Sequence, residues 1–183
     1  MMEFEVKVRV DDLEAVETKL KSLGWVLKEQ LLERDAYVDF TVCAGIPAKE
    51  TAFRIRSRVD LLSGAVSGEV TFKGRLVRSD VKAREEINVV VKDPEKLSEA
   101  FTLLGFQIHT VEKLRKVYVS EGSKIRVFLD RVKGLGDFIE FEVLGDVEGF
   151  LEEVEKLKES LNLSGRENIV KSYLELILEG GND

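Results

Sequence analysis

Glu3-Phe4-Glu5-Val6-Lys7, at the start of the chain, sets charged and apolar residues in strict alternation. On a strand, successive side chains point to opposite faces. Glu3, Glu5 and Lys7 therefore share one face, and Phe4 and Val6 share the other. A single strand of this kind is ordinarily dry on one side and solvated on the other. Here the pattern returns in Phe53-Arg54-Ile55-Arg56-Ser57-Arg58, in Glu69 to about Val77, in Arg84 to about Lys92, and in Glu140-Phe141-Glu142. The charged side then collects Arg54, Arg56, Thr71, Lys73, Arg75, Arg84, Glu86, Asn88, Lys113, Arg115, Arg126, Phe128, Asp130, Glu140 and Glu142. The other side collects Phe53, Ile55, Val70, Phe72, Ile87, Val89, Leu114, Val117, Ile125, Val127, Ile139 and Phe141. An open sheet with one solvated face fits this alternation, and so does a closed barrel with a wet, charged interior and helices outside. So many converging charges, without the Ser and Thr of an ordinary outer face, favour the barrel. The expected fold is α+β: an eight-stranded antiparallel β-barrel with flanking helices.

The 183 residues suffice for one substantial core, and the chain reads as a single domain over 1–183. A net charge of −7 argues against general nucleic-acid or anionic-membrane binding, while leaving room for a basic site inside an acidic shell. The single cysteine, Cys43, permits no intrachain disulfide, and a cytoplasmic location is expected. Polarity begins at Glu3, so no signal peptide is expected, and no apolar run approaches the roughly 20 residues of a membrane span.

Asp11 and Asp12 offer N-caps for a helix carrying Leu13, Val16, Leu20 and Leu23, with Gly24 at its end. Trp25 to about Gln30 and Glu33 to about Phe40 read as two strands, with a loop over Thr41–Thr51 and turns over Asp60–Gly68. The pattern then restarts. Asp93-Pro94 is a cap followed by proline at the first helical position, and Leu97, Phe101 and Leu104 form a stripe closed by Gly105-Phe106. Val16, Leu20, Gly24, Trp25, Arg34 and Tyr37 match Leu97, Phe101, Gly105, Phe106, Arg115 and Tyr118, each pair 81 positions apart. Glu5 falls on Glu86 at the same offset, and Lys124-Ile125-Arg126 resembles Arg54-Ile55-Arg56. We read a duplicated strand–helix–strands unit, with pseudo-repeats at about 2–92 and 84–145 and C-terminal helices at about 146–178. The first of these helices carries Phe150, Val154, Leu157 and Leu161. The second is expected to start at Ser164, with Glu167 completing a capping box.

A cluster of Arg and Lys suits a polyphosphate, because guanidinium forks match phosphate oxygens. Carboxylates at i and i+2 on one strand face suit Mg²⁺ or Mn²⁺, which complete their shells with water and phosphate oxygens. Together these groups are the parts needed for phosphoryl or nucleotidyl transfer. No Gly-rich phosphate loop is present.

Glu3-x-Glu5-x-Lys7 resembles the ExExK signature of the CYTH superfamily, the triphosphate tunnel metalloenzymes. Arg54-x-Arg56, Thr71-Phe72-Lys73-Gly74, Arg84-Glu85-Glu86 and Lys113-x-Arg115 with Tyr118 follow in that family's order. Leu129 through Glu142, with Gly134-Leu135-Gly136 inside it, and Ser172-Tyr173-x-x-Leu176 resemble the class IV adenylyl cyclase branch. The resemblance implies a tunnel that binds triphosphate and requires a divalent metal. It implies Lys7, Arg54, Arg56, Lys73, Lys113, Arg115 and Arg126 as phosphate ligands, Arg84 and Glu86 as a supporting pair, and Glu3, Glu5, Asp130, Glu140 and Glu142 as metal ligands. No general base is assigned; among the lysines, Lys113 is the candidate. The cofactor implied is Mg²⁺ or Mn²⁺. The partner is a small-molecule triphosphate, without nucleic acid or membrane, and a homodimer is allowed. Cyclisation of ATP, hydrolysis of a triphosphate, and binding without turnover all remain open. Gly134-Leu135-Gly136 fits a mobile loop or a plain hairpin turn. Lys171 fits a surface lysine of the last helix or one that reaches the tunnel mouth, His109 reads as a surface or half-buried residue, and Trp25 and Phe106 read as core aromatics.

Overall fold

The computed structural model describes residues 2–46, 51–75, 82–144 and 149–180. Among the described residues are eight strands, β1 (Met2–Arg9), β2 (Val26–Val38), β3 (Ala52–Asp60), β4 (Val66–Lys73), β5 (Lys82–Val90), β6 (Ile108–Val119), β7 (Arg126–Val132) and β8 (Gly136–Leu144), and four helices. The helices are α1 (Leu13–Ser22), α2 (Pro94–Leu103), α3 (Phe150–Ser160) and α4 (Tyr173–Gly180). All strand pairs are antiparallel, and the sheet closes in the order β1-β5-β4-β3-β2-β6-β7-β8. Exchanging β1–β4 with β5–β8 reproduces this circular order, which is the symmetry a duplicated unit would produce.

The apolar side of each strand faces outward. Val6, Val8, Val127, Leu129, Ile139 and Phe141 are covered by Val16 and Leu20 of α1 and by Phe150 and Val154 of α3. Ala36, Val38 and Ile55 lie under Leu97 and Phe101 of α2, with Phe106 beside them. Each large apolar side chain so buried contributes about 1.5–3 kcal/mol. The charged sides of the strands are left facing one another across the barrel. Both paired helices begin as expected. Asp12 Oδ1 accepts from the Ala15 amide at 2.9 Å, and Asp93 Oδ1 accepts from that of Lys96 at 3.1 Å. Trp25 is buried, as expected. No helix among the described residues is long and apolar enough to cross a membrane.

Four local expectations change. The two strands expected at 25–30 and 33–40 are one, β2, because no Gly or Pro interrupts Leu31-Leu32. A β-bulge between Leu27 and Glu29 places Lys28 outside the β6 register. The last helix does not begin at Ser164. Ile169 instead pairs with Lys7 through both backbone groups, at 3.2 and 2.8 Å, and this pairing keeps the chain extended. The capping box is Ser172–Glu175: the Glu175 carboxylate accepts from the Ser172 amide at 2.6 Å, and Ser172 Oγ accepts from the Glu175 amide at 3.2 Å. Leu23 and Leu104 are exposed, because each is the C-cap residue and the glycine that follows has a left-handed φ of 84° or 90°. Finally, β4 ends at Lys73, so Arg75 is exposed beyond the barrel wall.

Candidate functional site

The barrel interior holds a cavity of about 660 Å³. Lys7, Arg54, Arg56, Lys73, Lys113 and Arg115 all line it, and all are buried. Arg126 joins them with its side chain 40% exposed. The phosphate ligands expected from the resemblance thus converge in one space. Interior carboxylates offset this density of positive charge.

The first group sits where β2, β3 and β6 meet. Asp35 accepts from Arg56 through both oxygens, at 2.5 and 2.6 Å, and from Lys113 at 3.3 Å. Glu33 lies 2.9 Å from Lys113 and 2.7 Å from Arg58. Burial alone would raise both carboxyl groups. The Arg56 and Lys113 charges outweigh it and hold both well below the usual carboxylate range. Neither residue was among the expected site residues. Glu33, Asp35 and Tyr37 alternate within the strand expected at 33–40, but the offset that matches Arg34 with Arg115 points the other face of that strand inward.

The second group joins β6, β7, β8 and α4. Arg115 donates to both oxygens of Asp130, at 2.7 and 2.5 Å, and to Glu140 at 2.9 Å. Its guanidinium lies 4.2 Å from the Phe128 ring centre, and that of Arg126 lies 5.0 Å away. Tyr173, buried at the start of α4, donates to Asp130 Oδ2 at 2.7 Å. Its ring centre is 5.2 Å from the Lys7 ammonium and 5.7 Å from that of Lys113. The sequence motif containing Tyr173 is recognisable, but its role depends on where α4 docks.

The third group is the acidic end. Cross-strand register sets Glu5 opposite Glu142 and Lys7 opposite Glu140. Lys7 pairs with Glu5, and Glu140 lies 3.9 Å from it. Burial pushes Glu142 up, the Glu140 charge adds to this, and Arg115 and Arg126 oppose it; the result is a pKa of about 7. Two carboxylates directly opposite on neighbouring strands repel, and a divalent cation between them would relieve the repulsion. Glu5, Glu140 and Glu142 therefore fit a metal by the chemistry of their donors. Among the described residues, however, no three His, Cys, Asp or Glu groups are already drawn together as a metal site. Asp130 has both oxygens engaged by Arg115 and Tyr173. The side chains of Glu3 and Arg84 lie outside the described residues; their backbones are cross-strand partners.

On the β3–β5 side, Arg54 donates to Thr71 Oγ1 at 2.9 Å, while its Nε is enclosed without a hydrogen-bond partner. Lys73 and Glu86 form an ion pair.

Val117, expected on the outer face, lines the cavity beside Leu31 and Phe128, because it shares the parity of Lys113 and Arg115. Arg34 and Arg115 match in sequence but lie on opposite faces. The bulge at Lys28 adds one residue to β2, and a one-residue shift exchanges the faces of a strand. Arg34 is accordingly exposed and reaches Glu112 at 3.8 Å. Gly134-Leu135-Gly136 is a tight turn with φ of 81° and 97° at its glycines. It is tied down by Arg9 donating to the Leu135 carbonyl at 2.6 Å. Lys171 is exposed and bonds Glu179 at 2.9 Å.

Comparison with known proteins follows the same lines. The CYTH domain matches residues 1–173. The Methanocaldococcus jannaschii protein named "Putative adenylate cyclase MJ0240" is 34% identical over 181 residues, covering 96% of this chain and 98% of the relative. The structure of PH1819 protein from Pyrococcus horikoshii is 31% identical with a TM-score of 0.79, covering 97% of this chain and 99% of that one. HpAC1 from Hippeastrum, described as an adenylyl cyclase candidate with a dominant triphosphatase activity, shares the fold at 18% identity. Its TM-score is 0.69, with 98% of this chain and 95% of that one covered.

Proposed function

Because this chain belongs to the CYTH family, we propose that it is a metal-dependent enzyme acting on a triphosphate compound held in the tunnel. Its nearest assignment is class IV adenylyl cyclase, which converts ATP to cyclic AMP and pyrophosphate. The observation that carries this reading is the ring of six buried cations, within which Arg54 keeps an enclosed Nε without a partner. A buried donor left unpaired costs about 1–3 kcal/mol. A phosphate oxygen would satisfy it.

In this reading Arg54, Arg56, Lys73 and Lys113 hold the phosphate chain, while Glu33 and Asp35 keep Arg56, Arg58 and Lys113 in place. Asp130 orients Arg115 through its two-pronged contact. Glu5, Glu140 and Glu142, with Glu3, would hold Mg²⁺ or Mn²⁺. When bound, the ion would neutralise phosphate charge and polarise the phosphorus–oxygen bonds. For cyclisation, the ribose 3′-oxygen bonds to the α-phosphorus, its proton passes to water, and the bond to the departing pyrophosphate oxygen breaks.

Hydrolysis of tripolyphosphate, thiamine triphosphate or a nucleotide is the second reading. The same cations would serve water attacking the terminal phosphorus, and the activity described for HpAC1 is of this kind. The test is incubation with Mg²⁺ or Mn²⁺ and each of ATP, tripolyphosphate and thiamine triphosphate, followed by product separation. Cyclic AMP with pyrophosphate supports the cyclase. Orthophosphate without cyclic AMP moves the protein to the triphosphatases. Tight binding without any product removes the enzyme reading.

A further inference from the structure

The cavity changes character at one end. Beyond Arg54, whose cross-strand partner is Tyr37, the wall is no longer a field of paired charges. Tyr37 and Leu178 line it, together with Phe40 and Phe53, which also belong to the outer cluster under α2; among the described residues Asp39, Thr41, Thr51, His109, Ser172 and Glu175 are polar groups there. The two phenylalanines are fixed from behind. Their ring centres are 5.6 Å apart, and each also packs edge-on against Phe101 of α2, at 6.0 and 5.6 Å. A bare triphosphate has no use for such a wall. Ligand pockets combine apolar walls with a few placed polar groups to hold organic molecules.

The pair Asp39 and His109 is equally fixed. The Asp39 amide donates to the Gln107 carbonyl at 2.9 Å. Its Oδ1 accepts from the Thr41 amide at 2.8 Å and from the Thr41 hydroxyl at 2.6 Å. Oδ2 faces His109 Nε2 at 3.8 Å, wider than a hydrogen bond. His109 is the cross-strand partner of Tyr37. The pair therefore offers an acceptor and an imidazole nitrogen side by side, both opening on the cavity and both next to the triphosphate cations.

Building on the triphosphate reading above, we propose that Asp39 and His109, against the Tyr37–Phe40–Phe53 wall, form a subsite for the heterocycle of an organic triphosphate and read an aminopyrimidine edge. Asp39 accepts from the exocyclic amino group and His109 donates to the adjacent ring nitrogen, while the rings pack against the heterocycle's faces. Adenine, cytosine and the aminopyrimidine of thiamine share this edge. Uracil presents a carbonyl oxygen in place of the amino group, which the Asp39 carboxylate repels.

The test is binding of ATP, CTP, thiamine triphosphate, UTP and tripolyphosphate to the full chain in Mg²⁺, each followed by thermal-shift titration. The expected result is that ATP, CTP or thiamine triphosphate binds about tenfold more tightly than UTP and tripolyphosphate. Whichever ranks first identifies the source of the shared edge. Asp39→Asn and His109→Ala should each bring the favoured compound to within about twofold of tripolyphosphate. Equal binding of all five compounds overturns the subsite and leaves the triphosphate reading intact. Preference that survives in both variants overturns the two named residues. Absence of binding by every compound, tripolyphosphate included, overturns the triphosphate reading, and the subsite with it.

Discussion

The Tyr173 hydroxyl donates to Asp130 Oδ2 at 2.7 Å, and that oxygen also receives Arg115 Nη2 at 2.5 Å. The last helix is thus tied to the orientation of a guanidinium that lines the cavity. Tyr173→Phe keeps the ring beside Lys7 and Lys113 and removes only this bond. A hydrogen bond to a buried charged group contributes about 1.5–3 kcal/mol, so urea unfolding should show a loss of about 2 kcal/mol. The KM for the triphosphate should rise roughly tenfold, as when a residue orienting a ligand-binding group is lost, with a smaller effect on kcat. Unchanged stability and KM would show that α4 does not set Arg115.

Arg115→Lys preserves charge but not the two-pronged geometry. Lysine can satisfy one of the positions that Arg115 fills on Asp130 and Glu140. The expected cost is about 2–3 kcal/mol in a urea titration, together with weaker triphosphate binding. A variant as stable as wild type would show that the Asp130 contact is incidental.

Glu140 and Glu142 are expected to contribute most of the divalent-ion site. Mg²⁺ should raise the melting temperature of the wild-type chain, because an ion that binds only the folded state stabilises it. Treatment with EDTA should reverse the shift. Combining Glu140→Gln with Glu142→Gln should abolish the Mg²⁺ shift while leaving the chain folded in EDTA. A full Mg²⁺ shift in the double variant would place the ion elsewhere.

Deleting Lys28 should be tolerated. Leu27 pairs with Tyr118 and Glu29 with Val117, which are consecutive in β6, so removing the bulged residue makes the ladder regular and leaves the register on both sides in place. Glu33 and Asp35 would stay inside. The deletion variant should unfold cooperatively by circular dichroism and melt within a few degrees of Lys28→Ala. A deletion variant that fails to fold would mean that the bulge itself, and not only the register around it, is required.

Glu17 gives a pH signature. Burial would raise its carboxyl group, but hydrogen bonds from Lys116, Lys21 and Tyr118 outweigh this and bring it from its ordinary 4.5 down to about 2. The folded state thus binds fewer protons than the unfolded state between these values. The resulting stabilisation is complete above about pH 4.5 and is lost as pH falls toward 2. The stability difference between wild type and Glu17→Gln, followed by urea unfolding across pH, should be flat near neutrality and shrink below pH 4.5. A difference constant down to pH 3 would contradict it.

Much of the site was readable from one periodicity. Lys7, Arg54, Arg56, Lys73, Lys113 and Arg115 were all placed inside by counting alternate residues, because side-chain direction on a strand is a local property. Glu33 and Asp35 lie together in the strand expected at 33–40, but matching Arg34 with Arg115 turns that strand's other face inward. Arg34 was matched to Arg115 because sequence offset cannot register an extra bulged residue. The helix start moved from Ser164 to Ser172 because Ile169 is held extended by a backbone partner in β1, far away in sequence.

The sequence by itself determined the composition of the two faces: which side of each strand is charged, which is apolar, and which helices have an apolar stripe to cover it. These follow from the two-residue and 3.6-residue periods that every chain obeys. Only the tertiary structure decided what the charges do to one another. Barrel closure brings β1 beside both β8 and β5, which sets Glu5 against Glu142. It also docks α4 so that Tyr173 reaches Asp130, and it leaves Arg54 Nε without a partner. Each of these is a contact between residues far apart in the chain, and their distances depend on closure, shear and one bulge rather than on any local pattern.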